Sequence, residues 1–406
     1  MKPLKFVLIP VLALGSFASA SGAQDTSSVP LDTSYVEYHE SPFSLPLGVG
    51  LRPPSYDRVD GLTLPWGPKI EMGDGRVEID ALVSYRSHLG NWDPAIQGTL
   101  RPGDRNELTF FAGQGTFSND EWIRSDLTNS LVAFFAGRDA RNYFRATRGT
   151  ARFTRTISSG WATLAPFIGA NVEQGWSTGS IPPIKTPWSV FGRKSIFGMR
   201  RFNPHVAKGS ITSVLGGTGL EFVTGGVEGK LDATVERSLS THLTADCGTL
   251  SVFLCFPPGD SFTQGTINGR IFFPTFGTQT FTFRTHAVLT NGPGITPAQR
   301  FAYLGGTGTL ATVELLQIGG DRLLFFDADY MIPIEKIQLP IVGNPFVALH
   351  YAAGNAGIER LPSLIQNIGI GAGVSMLRVD YTIDPASNRS PFSRRSAFSF
   401  GINLAL

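Results

Sequence analysis

The C-terminal stretch SRRSAFSFGINLAL, residues 393–406, decides the fold class. Its last nine residues alternate in polarity, and one side carries Phe398, Phe400, Ile402, Leu404 and Leu406. Chain ends usually fray unless they are tied down, so a strand at the extreme end needs a partner strand. The pattern therefore predicts a closed antiparallel sheet in which the last strand pairs with the first.

The same period-two pattern recurs along the chain, for example in residues 77–86, 227–236 and 281–289. Several such segments run about ten residues, longer than the five or six that are usual in soluble strands. A tilted membrane strand needs roughly 9–11 residues. We count about sixteen candidate strands between Val59 and Leu406, an even number that suits an antiparallel membrane barrel. No helix-period segment stands out beyond the N-terminal leader.

Composition narrows the class of protein. Charged residues make up 16% of the chain, against roughly 25% in typical soluble proteins. No window beyond the leader holds 18 apolar residues without a charge, so no transmembrane helix is expected. These properties suit either a large secreted β protein or a membrane β-barrel, and strand length favours the barrel.

Residues 1–20 have the layout of a secretory signal peptide: Lys2 and Lys5, an apolar run, and small residues before the cleavage point. Its removal takes these two lysines and no acid, so the formal net charge falls from +2 to 0. A neutral exported chain has no electrostatic reason to bind nucleic acid. We expect residues 21–57, rich in Pro and Ser, to be an extended segment and 58–406 to form the barrel.

The connections between candidate strands are unequal. Residues 101–106 and 158–160 are tight turns, whereas long connections are expected at 176–208, 239–260 and 291–320. Short turns at one end and long loops at the other are typical of outer-membrane barrels. The basic stretch 192–201 is a candidate contact for lipopolysaccharide phosphates, with ordinary solvated loop charge as the alternative.

Two cysteines, Cys247 and Cys255, lie within one long connection. Export permits a disulfide between them that would constrain this loop, and two unpaired thiols are the alternative. No second Cys or His pair stands at ligand spacing, so we expect no metal and no cofactor.

Two stretches resemble segments of outer-membrane proteins, and the second of them resembles the bacterial surface antigen family of barrels. The last eight residues are similar to the C-terminal targeting signal of outer-membrane proteins, with Ser399, Gly401, Leu404 and Leu406 in its places, although an aromatic residue is more usual last. Residues 303–334 resemble a family segment in which a Leu-Gly-Gly loop precedes a strand that opens with Gly-Asp-Arg. The matching lumen-loop residues are Leu304, Gly305, Gly306 and Leu310.

This resemblance implies a sixteen-strand barrel with a long loop folded into the lumen, in an outer membrane whose assembly machinery inserts it. Known members insert outer-membrane proteins or secrete partner polypeptides, using periplasmic domains ahead of the barrel, for which residues 21–57 leave no room. Family members also hold a loop Arg with an Asp on a neighbouring strand. Here the loop reads Leu310-Ala311-Thr312-Val313 and the strand has Ala352. Loss of both charged residues together makes physical sense, because a buried charge that has lost its ion-pair partner destabilises the fold.

Two common enzymatic signatures are missing from the sequence: it contains no His-Glu-x-x-His and no phosphate-binding Gly-Lys-Ser/Thr. The candidate lumen-facing residues are Arg284, His286, Asp327 and Asp329. Paired carboxylates can serve acid–base chemistry, but charges that set ion selectivity or bind lumen arginines are the favoured interpretation. We therefore expect no catalytic residue.

The sequence thus predicts a non-enzymatic outer-membrane β-barrel, an open or plugged pore related to translocation. One alternative is an outer-membrane barrel enzyme such as a lipid hydrolase. The other is a secreted β-sandwich that binds a ligand.

Overall fold

Nearly all the regular structure belongs to one antiparallel sheet of 19 strand segments. The computed structural model describes residues 43–178, 189–190, 203–245, 258–337, 344–374, 377–387 and 390–402. The sheet segments are β1 (Phe43–Ser44), β2 (Ser55–Asp57), β3 (Gly61–Trp66), β4 (Lys69–Met72), β5 (Val77–Arg86), β6 (Asn91–Leu100), β7 (Asn106–Phe117), β8 (Phe144–Arg155), β9 (Ile157–Ser158), β10 (Ala162–Trp176), β11 (Lys208–Thr224), β12 (Val227–Thr244), β13 (Thr263–Pro274), β14 (Thr280–Asn291), β17 (Arg322–Pro333), β18 (Pro345–Gly357), β19 (Ile365–Val374), β20 (Leu377–Ile383) and β21 (Ser396–Ile402).

The remaining elements are few. The short strands β15 (Ala302–Leu304) and β16 (Ile318–Gly320) pair with each other in a separate ribbon. Among the residues that the structure describes, one α-helix, α1, spans Asp126–Ala136, and two 3₁₀ turns span Pro46–Gly48 and Ala298–Arg300. The prediction of an all-β fold with a large antiparallel sheet is confirmed.

Strands that are consecutive in sequence are neighbours in the sheet. From β5 to β21 each main strand pairs antiparallel with the next, and β9 continues β8 along β10. Two interrupted strands precede β5. The nearer one consists of β3 and β4, which both pair with β5. The farther one consists of β1, which pairs with β4, and β2, which pairs with β3. With these two, the sheet has about sixteen strand positions, the number expected for such a barrel. Among the described residues no ladder joins β21 to β1.

Alternate connections lie at the same end of an antiparallel sheet. At one end, here called the narrow end, several links are short, including 73–76, 101–105, 225–226 and 275–279. At the opposite, wide end lie the four longest links: 118–143, 177–207, 245–262 and 292–321. Three of these coincide with the long connections expected from sequence. The fourth, 118–143, contains α1.

Helix α1 contradicts the expectation that no helix follows the leader. Ser125 is its N-cap, and the Ser125 Oγ accepts a hydrogen bond from the backbone N–H of Thr128. Asp126 lies in the first turn, where a negative charge suits the helix dipole. Gly137 ends the helix in the left-handed conformation, with φ of 66°. An eleven-residue helix offers few repeats of the helical period, so the capping residues carry the clearest signal in the sequence.

The two faces of the sheet differ sharply. Ile168 on β10 is 65% exposed and Leu289 on β14 is 63% exposed, as part of an apolar face that we call the exterior face. On the opposite face, which we call the interior face, Glu173 of β10 and Asp327 of β17 are only 1% and 3% exposed. Exposed apolar side chains on one face and buried acidic side chains on the other are the reverse of the usual pattern in a soluble sheet. Within the described residues, no helix is long and apolar enough to cross a membrane.

Candidate functional site

The long loop, residues 292–321, packs against the interior face. Its residues Leu304, Leu310 and Val313 are buried in one apolar cluster with Phe325 of β17 and Ala352 of β18. Gly305 and Gly306 make the turn after β15 with positive φ, and the Gly305 N–H donates to Thr309 Oγ1 at 3.0 Å. Leu310 precedes Ala311, which aligns with the Arg of the resembled family, and it shares this apolar cluster with Ala352, which aligns with the family's Asp.

An arginine elsewhere in the long loop makes the buried ion pairs. The Arg300 Nη1 lies 3.0 Å from Glu173 Oε1, and its Nε lies 2.9 Å from Glu236 Oε2. Arg148 also pairs with Glu173, and Ser213 Oγ donates to Glu236 Oε1 at 2.7 Å. Burial alone would lower the pKa of Arg300, but the two glutamates outweigh it and raise this pKa. Arg300 is therefore charged at physiological pH and joins the loop to β10 and β12.

Backbone carbonyls around Arg300 are held as well. Gln264 of β13 donates through Nε2 to the Arg300 carbonyl at 2.9 Å, and Asn119 donates through Nδ2 to the Gln299 carbonyl at 2.6 Å. The 3₁₀ turn Ala298–Arg300 is thus fixed by the sheet on one side and by connection 118–143 on the other.

Farther along the long loop, residues 312–314 contact the C-terminal part of the sheet. The Thr312 N–H donates to Asn367 Oδ1 of β19 at 3.1 Å, and the Arg394 N–H donates to the Thr312 carbonyl at 2.8 Å. Arg394 and Glu314 form an ion pair in which both side chains are largely exposed. Contacts to β10, β12, β13 and β19 show that this single loop extends across much of the interior face.

Connection 118–143 is the second link that packs into the interior. The Trp122 ring stacks on the His286 ring, with centroids 4.0 Å apart, and also contacts Phe325. Arg124 donates through Nη2 to the Thr307 carbonyl of the long loop at 3.0 Å. Burial lowers the pKa of Arg124 to about 10, which still leaves it charged at neutral pH. The two links therefore support each other as well as the sheet.

The structure brings the four candidate lumen residues onto the interior face. Arg284 of β14 pairs with Asp327 of β17 at 2.8 Å, and His286 lies buried beside Asn268. Asp329 accepts two hydrogen bonds from Arg378, which reaches from β20 across β19 and β18. Both carboxylates are thus engaged by arginines, an arrangement suited to holding the interior together. Among the described residues, no group of three or more His, Cys, Asp or Glu is placed to hold a metal.

The remaining candidates fall into two groups. Ser399 and Gly401 lie in β21, paired with Asp380 and Arg378 of β20. Outside the described residues lie Leu404, Leu406, Cys247, Cys255, the basic stretch 192–201 and the signal peptide.

The interaction that sequence reasoning missed is the one between Arg300, Glu173 and Glu236. Arg300 is 127 residues from Glu173 and 64 residues from Glu236 along the chain. The available signal was an acidic residue on the polar side of two long period-two strands. A second buried cluster, in which Arg145 holds Asp93 through two hydrogen bonds of 2.6 Å, was missed for the same reason.

Comparison with solved structures finds low-identity matches to β-barrels. CdiB from Escherichia coli has 11% sequence identity and a TM-score of 0.47, over 87% of this chain and 60% of that chain. BamA from Haemophilus ducreyi, in a structure lacking POTRA domains 1–3, has 12% identity and a TM-score of 0.49, over 86% of this chain and 68% of that one. CdiB from Acinetobacter baumannii has 13% identity and a TM-score of 0.42, over 86% and 58%. This chain thus spans roughly six-tenths of the length of the CdiB proteins.

No protein-family model matches this chain, and no curated protein matches it.

Proposed function

We propose that this chain is an integral outer-membrane β-barrel of the surface antigen type, non-enzymatic and related to translocation, whose lumen is closed by its own long loop. The observation that carries the proposal is that apolar side chains are exposed on one face of the sheet and acidic side chains are buried on the other, the reverse of a soluble sheet. Ile168 and Val172 on β10 and Leu239 on β12 are exposed, whereas Glu173 and Glu236 on the opposite face of the same strands are buried.

Elementary energetics links this reversal to a bilayer. Transfer to hydrocarbon costs the apolar exterior side chains no free energy. The interior charges are paired with one another and are separated from the lipid by the sheet. A soluble β-sandwich would bury its apolar faces against each other and expose polar residues. The exposed apolar rows therefore favour a membrane barrel over a secreted sandwich.

Barrel closure is part of the proposal. In hydrocarbon every backbone N–H and C=O must be paired within the protein, so an open sheet edge is excluded. The alternation of strand directions makes β21 antiparallel to β1, as an even-numbered barrel needs. We place the wide end at the cell surface and the narrow end in the periplasm, following the usual distribution of long loops and short turns.

The interior contacts support a plugged resting state. Barrels of sixteen or more strands leave an aqueous channel when their interior is empty. Here the Arg300 ion pairs and the cluster around Leu310 hold the long loop against the wall. The resemblance of residues 303–334 to the surface antigen family supports a translocation-related role, in which movement of this loop would open the lumen.

Conductance across a planar lipid bilayer tests the proposal. We expect the reconstituted wild-type protein to be mostly closed, and Arg300→Ala to open at least several-fold more often, because the loop loses its buried ion pairs. Arg394→Ala is the matched control, since it removes only the exposed pair of the same loop with Glu314, and exposed pairs contribute little. A protein that stays in solution without detergent, or an Arg300→Ala variant as closed as the wild type, would contradict the plugged barrel.

A further inference from the structure

Charged residues on the exterior face of β11–β14 and β17 are few, and all of them are basic. Strand alternation and register place Lys208, Arg237 and Arg322 on this face. Every Asp and Glu of these five strands falls on the interior face, in alternation with the exterior positions. No carboxylate within these exterior rows can therefore neutralise the three cations.

Arg237 stands within an apolar row. Its neighbours in sequence, Glu236 and Ser238, are buried, whereas Val235 and Leu239 on its own side are 52% and 65% exposed. The Arg237 Nη1 donates to Thr263 Oγ1 at 2.6 Å, and no ion pair to an acid is found for it among the described residues. A guanidinium on a lipid-facing row has several free N–H groups and needs an acceptor.

Arg322 lies three strands away, level with Leu289 of β14, whereas Arg237 is level with Asn291, two residues farther along that strand. Arg322 is the first residue of β17, between Asp321 and Leu323, which are each 3% exposed, and it pairs with Leu289 of β14. Its Nε is buried without a hydrogen-bond partner. Arg237 and Arg322 are separated by three strand spacings, roughly 14–15 Å across the sheet. Exposed Leu289 lies between them.

The position along the strands fits a headgroup. Arg237 and Arg322 lie in the halves of β12 and β17 nearer the wide end, and Lys208 is the first residue of β11 at that end. A lipid-facing arginine is strongly unfavourable at the bilayer midplane and much better tolerated near the interface. Phosphate oxygens at the interface would supply charge-assisted acceptors to the guanidinium groups.

We propose that Arg237 and Arg322, with Lys208 nearer the loops, bind the phosphate groups of an acidic lipid in the bilayer leaflet at the wide end. This inference rests on the proposed membrane location. The proposed ligand is a lipid and not free phosphate, because the cations lie within rows of exposed apolar side chains that would contact acyl chains.

The test measures lipid retained by the purified, detergent-solubilised protein, using native mass spectrometry. The probe is diphosphoryl lipid A, compared with the same lipid after removal of its phosphates and with inorganic phosphate. At about 1 kcal/mol for each basic residue near an anionic surface, we expect Arg237→Gln/Arg322→Gln to bind the phosphorylated lipid roughly 30-fold more weakly. Arg155→Gln is the matched control, because Arg155 ends β8 on the exterior face at the narrow end.

The outcomes separate this inference from the proposed function. The lipid site would be overturned if the double variant bound lipid A as tightly as the wild type does. It would also be overturned if the wild type bound lipid A equally well after removal of the phosphates. Either result would leave the barrel proposal intact. Equal affinity of the wild type for inorganic phosphate would also overturn the lipid site. If the protein shows no folded, SDS-resistant band with any lipid, the membrane proposal fails and the lipid site fails with it.

Discussion

At the scale of single residues, Arg300 is the most consequential side chain of the interior. It lies in a loop without periodicity, yet it meets two buried glutamates from strands that are far apart in sequence. Leu310, next to the position that matches the family's loop Arg, lies in one apolar cluster with Ala352, which matches the family's Asp. The chain thus combines apolar packing at one point of the long loop with charge pairing at another.

Replacing Arg300 tests how much its buried ion pairs contribute to the stability of the protein. Arg300→Met leaves Glu236 buried with Ser213 as its remaining partner, whereas Glu173 keeps Arg148. Breaking a buried ion pair from one side costs about 3–5 kcal/mol. We expect Arg300→Met to lower the unfolding temperature of the folded band on SDS gels, and Arg300→Met/Glu236→Gln to recover more than half of the loss. A double variant as unstable as the sum of the two single variants would show that the charges do not interact.

Residue-level prediction is possible where strand alternation alone sets the direction of a side chain. Asp327 and Asp329 were placed together on one face from their spacing, and the structure brings both to the interior with arginine partners. Arg300 could not be found this way, because its position depends on how a long loop folds back. Its partners become evident only when β10, β12 and the loop are assembled.

At the scale of elements, the strands and long connections follow from period-two patterning and from clusters of turn residues. Helix α1 does not, because eleven residues with an N-cap and a C-terminal glycine make a weak signal inside a long connection. Segments β1 and β2 are also hard to see, since they are two and three residues long and lie among Pro46, Pro53 and Pro54. Their pairing depends on the presence of β3 and β4.

The N-cap of α1 offers a local test of the element that sequence reasoning missed. Ser125→Ala removes the side-chain acceptor for the Thr128 N–H, which typically costs about 1 kcal/mol. We expect amide hydrogen exchange in residues 126–136 to be roughly five-fold faster in this variant. Ser125→Asp retains a capping oxygen and should exchange at the wild-type rate. Equal exchange in Ser125→Ala would mean that packing against β2, rather than the cap, determines the stability of α1.

At the scale of the whole molecule, one property organises the rest: apolar side chains face outward and charges face inward. Strand length and low charge predicted an all-β fold with a large antiparallel sheet, which the structure confirms. Closure, the plugged lumen and the outer-membrane location are proposals that follow from placing this sheet in a bilayer. The exposed apolar rows link these three proposals, because hydrocarbon around the sheet would account for all of them.

Gel mobility of the membrane fraction, run in SDS with and without boiling, tests this central claim most directly. A closed barrel keeps its backbone hydrogen bonds paired, so we expect the unboiled protein to stay compact and migrate faster than the boiled protein. The same fraction should lose the faster band on heating. Identical mobility in both lanes, with the protein recovered in the soluble fraction, would contradict the membrane barrel and favour a secreted β-sandwich.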